Sequence, residues 1–375
     1  MSEFKVSSIE NTSNGSPSFS QGLNIAGADI TASHAISEYY TGATEPTSPK
    51  NGAFWWDGTN LHQYINTKFR ILSVTPPPTY YGDRGIFGAG FKSFVGYSNV
   101  IDYVTISSAG NATDFGDITT ARSTFGSCSS GSRGLFAGGN SGSGNFNIID
   151  YITIASTGNA TDFGDLTVTR NNVTGCCSNG VRGLFGPGGS AYSSDANNLI
   201  DYVTIATTGN AVDFGDVSVA RVNCAGCASG EGRGVFGGGQ NSSGAKSNII
   251  DYVTIATTGN ATDFGDLTQV RDSFTATSSE TIGVFFGGYT DSYFQNTIDY
   301  ITIASPGNAT DFGDLTAARY GMAASANGTR GIVGGDNANF GDTTIEYVTI
   351  ANPGNAVDFG DLSAGRYNLA ACSGD

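Results

Sequence analysis

The sequence predicts an all-β, six-bladed propeller preceded by a separate N-terminal region, and three observations carry that expectation. The string Ile101-Asp102-Tyr103-Val104-Thr105-Ile106 returns five more times, its Tyr standing at 103, 151, 202, 252, 300 and 347. In every copy a Phe follows twelve residues later (Phe115, Phe163, Phe214, Phe264, Phe312, Phe359), and an Arg seven after that (Arg122, Arg170, Arg221, Arg271, Arg319, Arg366). The resulting period of 47 to 51 residues, holding several short β-rich runs, is the size of a propeller blade. Finally, no helical periodicity is present, and the 55 glycines recur in register with the repeat, so they read as turn punctuation.

Residues 1–79 share nothing with the repeats and form the first expected domain. Residues 7–37 are rich in Ser, Gly, Asn and Thr, which suits an extended attachment arm ordered by lying against something else. Residues 49–69 predict a small hairpin: Ala53-Phe54-Trp55-Trp56, the turn pair Asp57-Gly58, then Leu61-His62-Gln63-Tyr64-Ile65. Both tryptophans sit here and need cover, so Trp55 and Trp56 are the candidate docking residues. Pro76-Pro77-Pro78 follows as a stiff spacer.

Residues 80–375 are the expected propeller, with four strands per repeat. In the fourth copy these are the small-residue stretch 221–227, then 233–236 running into Gly237-Gly238-Gly239, then 249–255, and a last strand centred on 263–267. Alternation in the third strand puts Ile250, Tyr252 and Thr254 on one side and Asp251, Val253 and Ile255 on the other, a pattern for a sheet covered on both faces. The first copy begins at Asp83 with no inner strand before it, while the chain ends in an inner strand, 366–372, with no blade after it. The two halves predict one blade, and with it closure of the ring by the C-terminal strand.

With 33 acidic against 17 basic residues the net charge is −16, which argues against a basic surface for nucleic acid or anionic lipid. No apolar run reaches the ~18 residues of a membrane span, and Met1 to Val6 carry no basic segment leading into an apolar one. Synthesis in a cytoplasm and no membrane insertion are therefore expected. Four of the six cysteines (Cys128, Cys176, Cys227, Cys372) fall six residues after the repeat Arg, where the other copies have Thr277 and Ser325. That exchange predicts small buried thiols without disulfides. Cys224 and Cys227, three apart on a strand, point to opposite faces and do not suit one metal ion.

Both histidines, His34 and His62, lie outside the repeats, so the propeller lacks a histidine base or ligand. The recurring Arg, present in every blade, reads as the structural partner of a recurring Asp and not as a substrate clamp. The Asp pairs around Phe-Gly, such as Asp114 and Asp117, lack the spacing of a calcium loop and suggest a turn cap. Asn-Ala-Thr at Asn111, Asn159, Asn260 and Asn308 reads as a turn motif. No catalytic residue, cofactor or metal site is expected.

The glycine doublets Gly138-Gly139, Gly188-Gly189, Gly238-Gly239, Gly287-Gly288 and Gly334-Gly335, each after an apolar strand and before a spaced Tyr and a second aromatic, resemble Kelch-type propellers. The first copy departs as Gly88-Ala89-Gly90, and Phe replaces the Trp usual in that family in all six copies. The expectation is a Kelch-like variant, and since such propellers host many activities, the fold alone implies none. A second resemblance bears on role. Phe4-Lys5-Val6-Ser7-Ser8-Ile9-Glu10-Asn11, Phe19-Ser20-Gln21-Gly22-Leu23, the hairpin of residues 49–64 and the Gly-Asn-Ala-x-Asp-Phe-Gly-Asp repeats look like virion structural proteins of marine tailed phages. That resemblance implies a non-enzymatic, tail-fibre-like or other appendage component. Its N-terminal region docks on other virion proteins in an oligomeric assembly, and its propeller contacts a host-surface glycan or protein or a neighbouring subunit. The alternatives are a carbohydrate-active hydrolytic propeller or a capsid decoration protein.

The connections between strands two and three differ in every copy, while those between three and four are near copies of one another. Variable loops on a rigid frame are where recognition sits. The candidate binding-face residues are the aromatic ones those loops carry: Phe91, Phe94, Tyr97, Phe146, Tyr192, Tyr289, Tyr293, Phe294 and Phe340.

Overall fold

The computed structural model describes the strands of residues 10–72 with Thr47, and residues 82–189, 195–229, 232–337 and 341–374. The chain divides into two compact units, 1–77 and 78–375. In the first, Glu10–Asn11 pairs with Pro17–Ser18 and Leu23–Ile25 with Ala28–Ile30, so the stretch expected as an extended arm contains two short antiparallel pairs. Phe54–Trp56 and Leu61–Ile65 form the expected hairpin. Lys68–Leu72 and Tyr39–Thr41 widen it to four strands, with Tyr39–Thr41 parallel to Phe54–Trp56. The side chains of Trp55 and Trp56 lie outside the described residues.

The second unit is a propeller of six four-stranded antiparallel blades. Blade four shows the plan, with Ala225–Ala228 innermost, then Arg233–Gly237, Ile249–Thr254 and Thr262–Asp266. The innermost strands neighbour one another in a closed ring: Ala370–Gly374, Gly126–Ser129, Cys176–Ser178, Ala225–Ala228, Thr275–Ser278 and Ala323–Ala326. Six strands converging on one axis leave room only for small side chains, and these are Gly, Ala, Ser, Thr and Cys. Their hydroxyls tie neighbours together, Ser178 Oγ donating to the Ser129 carbonyl and Ser373 Oγ to that of Ala326, both at 2.6 Å. Blade one is the seam. Its inner strand, Ala370–Gly374, comes from the C-terminus and pairs with Arg84–Lys92 from Ala370 opposite Gly88 to Gly374 opposite Arg84.

The apolar core lies between blades. Leu184, Ile200 and Phe214 of blade three, for example, pack with Phe236, Val253 and Ile255 of blade four. The repeat Phe reaches this core through a bulge: Ile250 stands opposite Gly265 and Asp251 opposite Asp263, so Phe264 is the extra residue of its strand. There it meets Tyr252 edge-on, ring centroids 5.9 Å apart. Ile250 and Asp251, on opposite faces of the third strand, are both fully buried, as expected of a sheet covered on both sides.

The outer strand of each blade presents an edge, and the next blade closes it. Gly158 N and Ala160 N donate to the carbonyls of Phe115 and Asp117, both at 2.8 Å, while Asn159 Oδ1 accepts from Asp117 N at 3.1 Å. Around the seam Ala112 N donates to the Asp361 carbonyl and Asn111 Oδ1 accepts from Asp361 N. The Gly-Asn-Ala turns are thus edge latches, and the Asn of Asn-Ala-Thr is spent on the neighbouring strand. Gly116 must be glycine, since φ is 146° and an added Cβ would lie 2.4 Å from the Gly158 carbonyl oxygen.

Two residues after each repeat Arg the backbone is left-handed, at Thr124, Asn172, Asn223, Ser273, Gly321 and Asn368. Each of these N–H groups donates to the carbonyl of its counterpart in a neighbouring blade, from Asn172 to Thr124, Asn223 to Asn172, Ser273 to Asn223, Gly321 to Ser273, Asn368 to Gly321 and Thr124 to Asn368. The six bonds form a closed ring where the chain enters the inner strands. Three of the six are Asn and one is Gly, the types that bear this conformation at least cost.

All six cysteines are free and buried. An added Cβ on Gly134, Gly183, Gly234 or Gly283 would lie 2.4 to 2.7 Å from the sulfur of Cys372, Cys128, Cys177 or Cys227, each thiol filling the space left by a glycine in the next blade. In blade three this position belongs to Cys177 and not to Cys176. One extra residue precedes that strand, and Cys177 opposite Leu184 matches Cys128 opposite Leu135. Burial pushes the thiols of Cys176, Cys227 and Cys372 up from 9.0 to about 12 and those of Cys128 and Cys177 well above 9.0. Below about pH 9 the thiols are protonated in both states and this contribution is fully present. Towards pH 12 the unfolded chain ionises and the folded one does not, so stability falls. The folded protein should therefore resist thiol reagents at pH 8 and lose denaturation midpoint steadily above pH 9. A thiol that reacts at the rate of a free one in the native state refutes this.

Candidate recognition face

The repeat arginines are closed off from any ligand. Arg221 is fully buried, its Nη2 2.8 Å from Asp251 Oδ2 and 3.1 Å from the Phe236 carbonyl oxygen. Arg122 pairs with Asp150 at 2.7 Å, Arg170 with Asp201 at 3.0 Å, Arg271 with Asp299 and Arg366 with Asp102 at 2.8 Å. In blade six Arg319 pairs with Glu346. Each acid also accepts from the Thr or Ser four residues after a repeat Phe, as Asp201 does from Thr167 Oγ1 at 2.7 Å and Asp102 from Ser363 Oγ at 2.7 Å. Burial lowers the pKa of Arg122, Arg170, Arg271 and Arg366 against the opposing pull of the paired carboxylate. The unit joins a linker, an inner-strand entrance and a third strand, which is the structural partnership expected from the repeat.

A second set of arginines escapes sequence reasoning. Arg84, Arg133, Arg182, Arg233 and Arg330 open the second strands and lie over the blade's own Tyr, 4.2 to 4.9 Å from the ring centroid. Their Nη1 atoms donate to carbonyls of the next blade, as Arg233 does to Ile303 at 2.7 Å. Blade five has Ile282 at this position, which, like Tyr300, packs against the core between blades five and six. These staples and the edge latches occupy the end of the propeller where strands three and four are joined.

The opposite end carries the variable loops, and there the candidate aromatics form two groups. Phe91 lies 5.0 Å from Tyr97 edge-on and 5.4 Å from Tyr367. Phe294 stacks on Tyr320 at 4.8 Å, with Tyr289 5.7 Å from Phe294. Tyr289 is partly covered and has Lys246 Nζ 4.4 Å from its ring centroid, so it supports the platform more than it faces outward. Lys246 is itself held 2.7 Å from Asp272, whose pKa burial raises while the lysine pulls it down. Beyond these, Tyr293 is 75 % exposed and Phe94 98 %. Phe146 is half-buried, and Tyr192 and Phe340 lie outside the described residues.

Tyr320 and Tyr367 are absent from the sequence-based candidates because both lie directly after the repeat Arg, in what reads as the start of a strand. A signal is present all the same: that position holds Ser123, Asn171, Val222, Asp272, Tyr320 and Tyr367, varying where its neighbours do not. The first aromatic group opens on a cleft of ≈600 Å³ between the loops of blades one and two, floored by Thr124, Asn172 and Asn368 of the hydrogen-bonded ring. Among the described residues no three His, Cys, Asp or Glu side chains come together as a metal site. No protein-family model matches the chain, and no curated protein is significantly similar to it.

Proposed function

We propose that this chain is a non-enzymatic structural protein of a phage virion, a tail-fibre-like appendage built on Kelch-like repeats. Its N-terminal region docks on other virion proteins, and its propeller displays the variable loops to a host surface. The observation that carries the display role is the contrast between the two ends of the ring. One end is committed to latches and arginine staples between blades, whereas the other gathers different loops, two aromatic groups and a cleft on a frame closed around its axis. The assignment to a virion rests on the sequence resemblance carried by the N-terminal motifs and the Gly-Asn-Ala-x-Asp-Phe-Gly-Asp repeats.

The test is a particle carrying Tyr293→Ser and Phe294→Ser. Both side chains are exposed, so the propeller should fold and be detected on purified particles by antibody, while adsorption to host cells falls about tenfold or more, the loss typical of aromatic contact residues. Particles that lack the propeller, or that adsorb normally with both substitutions, would overturn the proposal.

A further inference from the structure

We infer that the cleft between the loops of blades one and two binds a neutral saccharide, an inference that rests on the display role and names the ligand class of that face. At ≈600 Å³ the cleft is of small-molecule size. Its aromatic wall is Phe91, Tyr97 and Tyr367, and the remaining lining is Ser, Thr, Gly and Asn, with no charged side chain among the described residues. A side-chain amide both donates and accepts, as does each hydroxyl of a sugar, while the apolar face of a pyranose matches an aromatic ring. Asn172 and Asn368, in the floor, make no side-chain hydrogen bond among the described residues. The loop beside them is already set: Asn140 Oδ1 accepts from Tyr97 Oη at 3.1 Å and from Gly142 N at 2.7 Å, while its Nδ2 donates to Asn145 Oδ1 at 2.9 Å.

The competing ligand classes fit less well. An anionic ligand would find no Lys or Arg in the cleft and would approach a chain of net charge −16. An extended peptide binding by strand addition needs an open sheet edge, and the outer edges are latched by the next blade.

The test uses the full chain and ligand-observed NMR against maltotriose, mannotriose, galactotriose and triacetylchitotriose, with sialyllactose as the anionic probe. At least one neutral trisaccharide should bind with Kd below about 10 mM, the weak range of a single shallow site. Tyr367→Ser, which removes one aromatic wall, and Ser143→Trp, which fills the cleft from an exposed loop position, should each weaken it about tenfold or more. Val181→Ser, on the opposite end, should not. Ser143→Trp removes only the exposed hydroxyl contact with Ser141 and leaves the aromatic wall in place, so it remains informative if Tyr367→Ser folds poorly. Absence of binding by all four neutral sugars, preference for sialyllactose, or binding indifferent to both cleft variants would overturn the inference. Should Tyr293→Ser with Phe294→Ser abolish adsorption while no sugar binds, the saccharide inference alone fails. Should a sugar bind in the cleft while adsorption ignores those substitutions, the display role fails instead.

Discussion

A chain ending at Gly365 is expected to lose the cooperative melting transition of the propeller. Residues 366–375 contain the inner strand of blade one, and their removal strips Arg84–Lys92 of its partner along the whole register from Gly88 to Arg84. It also leaves Asp102 buried without Arg366, a loss of roughly 3–5 kcal/mol when one partner of a buried pair is deleted. Leu369, buried in the core between blades six and one, adds roughly 2–5 kcal/mol. The axial ring opens as well, because Thr124 N donates to Asn368 and Asn368 N to Gly321. These losses together rival the whole net stability of a domain, about 5–15 kcal/mol. The bared strand edge then favours association between chains. The measurement is a calorimetric scan, with hydrogen exchange at Gly85 to Gly88 as the local readout. An unchanged melting curve would show that the ring does not depend on this seam.

How much of this is legible in the sequence follows from what a repeat can report. Tyr252, Phe264 and Arg271 recur at fixed offsets, so the copies, the blade count and the seam can be read directly. Repetition marks a position without naming its partner, however. Asp251 is bound by Arg221 from 30 residues before it and by Ser218 from 33, and six copies at matching offsets offer many equally consistent pairings. The Gly-Asn-Ala turns read as near copies of one turn motif, and their latching role stays hidden for the same reason, since their partners belong to the neighbouring copy. The small-residue stretch 221–227 reads as one inner strand, yet only Ala225–Ala228 is strand. The left-handed step at Asn223 comes first, and its purpose emerges only when all six copies close a ring. The candidate face is half legible: loop variability locates it, while the platform formed by Tyr320 and the cleft wall supplied by Tyr367 require the fold.

Replacing Arg221 by Met should lower the stability of the propeller by roughly 3–5 kcal/mol, the typical effect of breaking a buried ion pair from one side. Asp251 would remain fully buried with only Ser218 N at 3.1 Å and Ser218 Oγ at 2.9 Å to satisfy it. At about 2 °C per kcal/mol for a domain of this size, the melting midpoint should fall by roughly 6–10 °C. The ion pair itself is a poor stabiliser: Nε and Nη1 of Arg221 and Oδ1 of Asp251 have no hydrogen-bond partner, so the desolvation of both charges is only partly offset. It follows that Arg221→Met combined with Asp251→Leu should be more stable than Arg221→Met alone, because the orphaned charge is gone, although the Ser218 N–H then loses its acceptor at a cost of about 1–3 kcal/mol. Equilibrium urea unfolding of the wild type, both single variants and the double variant measures this directly. If the two single losses simply add in the double variant, Arg221 and Asp251 do not act as a pair, and the repeat arginine is not the structural partner of the third-strand acid.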